Sequence, residues 1–120
     1  FFPPTDLSKY LDPKLGFLEA FPALKFDPRQ SPAVSPLLQV SSDDAPSLMI
    51  HGDMDKLVPL FHSQAIHKAL GEKKVPSELM VIEGAAHGFK PDDQKRADAA
   101  SLRWFNRHLL GSAKAPTSKK

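Results

Sequence analysis

The chain has 120 residues, a formal net charge of +2, 25% charged residues and no cysteine. That length suits one domain or part of one, and the absence of thiols excludes disulfides and thiolate metal sites while leaving the compartment open. The positive charges form no stripe over a folded face, which argues against nucleic-acid binding, and no stretch is long and apolar enough to cross a membrane.

The chain opens on "FFPPTDL", with no initiator Met and no charged lead, so it does not read as a signal peptide. Phe1 to Pro3 read as the tail of an apolar strand, stopped by Pro3-Pro4. Residues 5–46 read as a proline-rich excursion between strands. In "TDLSKYL", Thr5 or Asp6 is a candidate helix N-cap, and "PKLGFLEAF" has room for a turn or two interrupted by Gly16. Prolines at 28, 32, 36 and 46 forbid any long regular element there. The segment is nevertheless apolar enough, through Phe17, Leu18, Phe21, Leu24, Phe26, Val34, Leu37 and Leu38, to need cover.

From Ser47 the pattern becomes regular. "SLMIH" reads as a short buried strand. Residues 59–70 read as a helix, with Pro59 at its first position and Gly71 as its C-terminal cap. "SELMVIEG" is a second strand whose run Leu79–Ile82 implies cover on both faces. Residues 92–110 form the longest helix, with Asp92 and Asp93 favourable at its start and Ala97, Ala100, Trp104, Phe105 and Leu109 as its buried stripe. Gly111 ends it, and residues 112–120 are a solvated tail. Strand, helix, strand, helix in this order implies a right-handed parallel α/β unit of about three strands, counting the N-terminal remnant.

In such sheets, functional groups gather beyond the carboxyl ends of the strands. Asp55 follows the first strand in "HGDMDKLVP" and His87 follows the second in "EGAAHGF". On neighbouring strands they meet at one sheet edge. A carboxylate that accepts the imidazole Nδ1 proton fixes the tautomer and steadies the cation formed in proton transfer, which is what acyl transfer asks of an acid and a base. The small residues Gly84, Ala85, Ala86 and Gly88 let the loop turn sharply around His87.

These two motifs, "HGDMDKLVP" and "VIEGAAHGF", resemble the C-terminal part of the α/β-hydrolase fold, in the branch of esterases and lipases related to the prolyl-oligopeptidase family, including bacterial carbohydrate-ester and feruloyl-type esterases. The first matches G-x-x-D-x-x-V-P through Gly52, Asp55, Val58 and Pro59, and the resemblance places the triad acid at Asp55 and the triad histidine at His87. "PTDL" at 4–7 and "SSDDAPSLMIHGD" belong to the same likeness, which runs to about Leu110. The departure is the nucleophile. The family's serine sits in a G-x-S-x-G elbow upstream of acid and histidine, and no such motif occurs here. The complete fold runs to roughly 250 residues. The resemblance therefore implies that residues 1–111 are the C-terminal portion of a single α/β-hydrolase domain, inactive alone.

The remaining polar residues read more plainly. Asp53 is a turn residue bonded to its own backbone. His51 packs at the strand end rather than ligating, since H-x-D-x-D on an extended chain gives no closed ligand set. His62 and His67, five apart on a helix, do not pair and read as surface residues. His108 sits where a helix end favours a cation. Ser47, Ser63 and Ser77 lack elbow context. The expected function is hydrolysis of a small-molecule carboxylic ester without cofactor or metal. A prolyl-oligopeptidase-like peptidase is the alternative within enzymes. The non-catalytic alternative is a half-domain that assembles with the missing N-terminal half, or with a second copy, at its N-terminal strand edge.

Overall fold

The computed structural model of the chain describes residues 4–9, 22 and 27–110. The strand remnant at 1–3, the short helical piece around Gly16, the phenylalanines at 17, 21 and 26, Gly111 and the tail 112–120 lie outside the described residues.

Two strands carry the described core. β1 (Ser47–Gly52) and β2 (Ser77–Ile82) pair in parallel, with Met49 opposite Leu79, His51 opposite Val81 and Gly52 opposite Ile82. Side chains alternate between sheet faces, and this alternation sorts the core into two layers. Ile50 and Ile82 pack with Ala85, Ala97 and Ala100 on one face, joined by Leu48, Met80 and Phe89. Met49 packs with Leu70 and Val75 on the other, joined by Val40, Ile66 and Leu79. Helix α2 (Phe61–Glu72) covers the second face and helix α3 (Pro91–His108) the first. The cover is incomplete on β2: Val81 is 42% exposed, because α2 packs over Met49 and Leu79 and not over the distal end of the outer strand.

The excursion is built as its prolines require. Short 3-10 turns at Leu7–Lys9, Pro28–Gln30 and Pro36–Gln39 flank a single turn of helix, α1 (Ser31–Val34). Asp6 takes the expected capping role, accepting from the Ser8 N–H at 3.1 Å. Thr5 instead reaches across the fold. Its N–H donates to His62 Nδ1 at 3.2 Å and its hydroxyl to the His62 carbonyl at 2.9 Å. Ser35 accepts from the Leu7 N–H at 3.0 Å and donates to the Ser31 carbonyl. The Thr5–His62 bonds tie the excursion to α2, the Ser35 bonds tie its own segments together, and Val40 adds apolar contact with the Met49 layer. Val34 and Leu38, expected under cover, are exposed.

Helix α2 starts and stops two residues later than its Pro and Gly suggest. A turn through Pro59 and Leu60 leads into it, and Gly71 lies inside it. Its end is a Schellman motif: the Val75 N–H donates to the Leu70 carbonyl at 2.9 Å and the Lys74 N–H to the Gly71 carbonyl at 3.0 Å. Lys74, with φ of 61°, takes the left-handed position, and Val75 packs on Leu70. Helix α3 opens with Pro91 after an extended Lys90, and its ion pairs Lys95–Asp92 and Arg96–Asp93 lie in the first turns. Ala97, Ala100 and Trp104 are buried as expected. Phe105 is 56% exposed and Leu109 is also exposed, since the 97–100–104 line alone faces the sheet. Phe105 stands at the rim of a cleft of about 230 Å³ beside Pro46, Leu48 and Trp104.

Candidate active site

The ends of β1 and β2 are laced together before any functional side chain is placed. Gly52 lies so close to Ala85 that a Cβ there would sit 2.2 Å from the Ala85 carbonyl oxygen. That carbonyl accepts the Met54 N–H at 2.9 Å, and the Ile82 carbonyl accepts the Asp53 N–H at 3.3 Å. Asp53 completes the join, with its Oδ1 accepting the Gly84 N–H at 2.7 Å. Its role is structural, as expected, but the partner is the facing loop instead of its own backbone. Gly84 and Gly88, with φ of 71° and 102°, turn the second loop on either side of His87.

On this frame the structure brings Asp55 and His87 together. His87 Nδ1 lies 2.8 Å from Asp55 Oδ2. The Asp55 side chain is fully buried, while that of His87 is 38% exposed. The other carboxylate oxygen, Oδ1, accepts the N–H groups of Leu57 and Val58, each at 2.9 Å. Burial pushes the Asp55 pKa up, but the Val58 amide, the His87 bond and the Leu57 amide outweigh it and hold the carboxyl below the ordinary aspartate range. An ionised carboxylate only accepts, so His87 carries its hydrogen on Nδ1 and Nε2 is the basic nitrogen of the neutral ring. The arrangement is able to take a proton at Nε2 and to steady the resulting cation from behind.

The other histidines are placed differently from expectation in two cases. His62 is fully buried, tied to Thr5, with its ring 4.0 Å from that of Phe61. His67 is half-buried, with Nδ1 2.9 Å from Ser77 Oγ. Neither is a surface residue, because each finds a partner far along the chain that spacing within one helix does not reveal. His108 packs its ring 4.1 Å from that of Trp104 in the last turn of α3.

His51 is packed at the strand end, as expected, but it also touches the site. Nδ1 lies 2.6 Å from Ser63 Oγ, Nε2 lies 2.7 Å from the Val58 carbonyl, and Nε2 is 3.4 Å from Asp55 Oδ2. Sequence reasoning missed these contacts. The available signal was strand alternation, which puts His51 on the α2 face with Met49. Among the described residues, no group of three or more metal-ligating side chains converges, and Asp53 turns to Gly84 rather than toward His51.

Residues 18–112 match the model of the prolyl oligopeptidase family. The chain is 35% identical over 86 residues to the non-reducing polyketide synthase mapC of Penicillium brevicompactum, covering 64% of this chain and 4% of that protein. Among solved structures it is similar to an acetyl ester-xyloside bifunctional hydrolase from Caldicellulosiruptor lactoaceticus, at 27% identity and TM-score 0.60, over 67% of this chain and 31% of that one. It is also similar to the thermophilic esterase Est2 from Thermogutta terrifontis, at 28% identity and TM-score 0.58, over 74% of this chain and 33% of that one. The chain thus spans about a third of the length of the solved hydrolases and far less of the synthase. With a family match over most of its length and two hydrolase structures sharing its parallel α/β arrangement, the chain belongs to the prolyl oligopeptidase family, in the α/β-hydrolase group of serine hydrolases.

Proposed function

We propose that the chain supplies the acid and the base of a carboxylic-ester hydrolase. Asp55 is the acid and His87 the base. The nucleophilic serine and the oxyanion donors come from outside these 120 residues, which contain no G-x-S-x-G. His87 Nε2 takes the proton of the serine hydroxyl as its oxygen attacks the ester carbonyl. The imidazolium then gives that proton to the departing alcohol, and water repeats the sequence on the acyl-enzyme to release the acid. Asp55 holds the ring in the Nδ1–H tautomer and offsets its positive charge at the moment of transfer.

The observation that carries this reading is the 2.8 Å contact between a buried carboxylate and a partly exposed imidazole at adjoining strand ends. Esters are preferred to peptides as the substrate class because both solved structures named above are described as acting on esters. The family's name favours a second reading, a peptidase for short prolyl peptides. The test uses a protein that joins this chain to a serine-elbow segment, assayed with a short-acyl nitrophenyl ester and with a prolyl dipeptide chromogen. Ester turnover that collapses in His87→Ala supports the proposal, and selective turnover of the prolyl chromogen would replace it with the peptidase reading. The 120 residues alone should show no turnover. Ester hydrolysis by them that persists in His87→Ala would overturn the assignment.

A further inference from the structure

We propose that His51 is a positioning residue for the Asp55–His87 pair, an inference that rests on the role just assigned to that pair. Asp55 Oδ2 faces two imidazoles, His87 at 2.8 Å and His51 at 3.4 Å. They differ in exposure: the His87 side chain is 38% exposed and the His51 side chain is fully buried.

The hydrogen on His51 is fixed by its neighbours. The Val58 carbonyl, 2.7 Å from Nε2, accepts only, so Nε2 carries the hydrogen and donates to it. In the neutral ring Nδ1 then accepts from the Ser63 hydroxyl at 2.6 Å. Ser63, His51 and Asp55 thus form a row that looks like a nucleophile, base and acid, but Ser63 sits on the inward face of α2, only 1% exposed, with its hydroxyl engaged by His51.

The row acts through Asp55. His51 grips the Val58 peptide at its carbonyl while the N–H of the same residue donates to Asp55 Oδ1 at 2.9 Å. Its Nε2–H also lies along the flank of Oδ2. The carboxylate is therefore held on one side by the Leu57 amide and by the Val58 amide, whose residue is anchored through His51, and on the other by the ring itself. A carboxylate clamped in this way has one orientation to offer His87 Nδ1. Without His51 the 55–58 turn loses its anchor in α2, the carboxylate is able to rotate, and the His87 ring is no longer confined to the tautomer that leaves Nε2 basic.

The test reads that tautomer directly, by 15N spectra of the histidine-labelled 120-residue chain at a pH where the rings are neutral. In the unsubstituted chain His87 should be mainly the Nδ1–H form. Asp55→Asn should raise its Nε2–H population several-fold, and His51→Leu should do the same while the helix signal by circular dichroism is retained. His51→Gln, whose amide N–H reaches for the Val58 carbonyl and whose amide oxygen accepts from Ser63, should restore the Nδ1–H form. A structural filler role alone would move the melting temperature in both His51 variants and leave the tautomer unchanged. If Asp55→Asn shifts the tautomer and His51→Leu does not, the positioning role is overturned and the Asp55–His87 pair stands. If Asp55→Asn leaves it unchanged, the pair itself fails and this inference falls with it. Should His51→Leu unfold, Ser63→Ala decides the matter: a several-fold rise in the Nε2–H form supports the role, and an unchanged tautomer overturns it.

Discussion

At the residue scale, Asp55 is held in its charged form against burial. Its pKa is pushed up by burial but held down on balance by two amides and His87. A depressed native pKa means that the folded state favours the ionised group. The stability this contributes is present above the unfolded value of about 3.9 and is lost as pH falls through the lower native value. Urea midpoints should therefore fall as the pH drops below about 4, and Asp55→Asn should flatten that part of the profile. An unchanged acid-side slope in D55N would contradict this assignment. The meeting of Asp55 and His87 was legible in the sequence because each lies in the turn that follows a strand, within a motif that resembles the acid and histidine loops of one family. His62 was not, since its partner Thr5 lies 57 positions away. Nothing in the helix around His62 marks that bond.

At the element scale, the informative differences are at helix ends. Gly71 reads as a cap but is spent inside α2, and the left-handed position falls on Lys74. A side chain there costs roughly 1–2 kcal/mol relative to the right-handed region, a cost glycine does not bear. Lys74→Gly should accordingly raise stability by up to about 1 kcal/mol, measured by denaturant midpoint at unchanged slope. Sequence reasoning missed this because Schellman geometry depends on Val75 packing against Leu70, a contact that local residue preference does not encode. Gly52 is the opposite case. Its neighbour is backbone, not a flexible side chain, so Gly52→Ala must part the two strand-end loops. Overpacking of this kind costs about 1–3 kcal/mol, and the substitution should lower thermal stability and loosen the Asp55–His87 contact together.

At the scale of the whole molecule, the parallel pairing followed from the strand-helix-strand-helix order, and the core on both sheet faces from the run Leu79–Ile82 and the 97–100–104 spacing in α3. The extent of cover did not follow. A continuous apolar run such as Leu79–Ile82 reports that neighbours are wanted, not that they are present, and Val81, Leu102, Phe105 and Leu109 are exposed. We propose that these surfaces, with the sheet edges, are where the rest of an α/β-hydrolase domain or a second copy packs. Light scattering on the 120-residue chain should then show concentration-dependent self-association that falls away when the serine-bearing segment is joined to it. A compact monomer at all concentrations would contradict this.

The central claim, that Asp55 and not Asp53 serves His87, is tested most directly by comparing two substitutions in the serine-bearing protein. Asp53→Asn keeps an oxygen for the Gly84 N–H and should leave kcat for a short-acyl ester close to its starting value. Asp55→Asn presents an amide to the imidazole and should lower kcat by roughly 10³- to 10⁴-fold. An undiminished rate in D55N, or a collapse confined to D53N, would contradict the account.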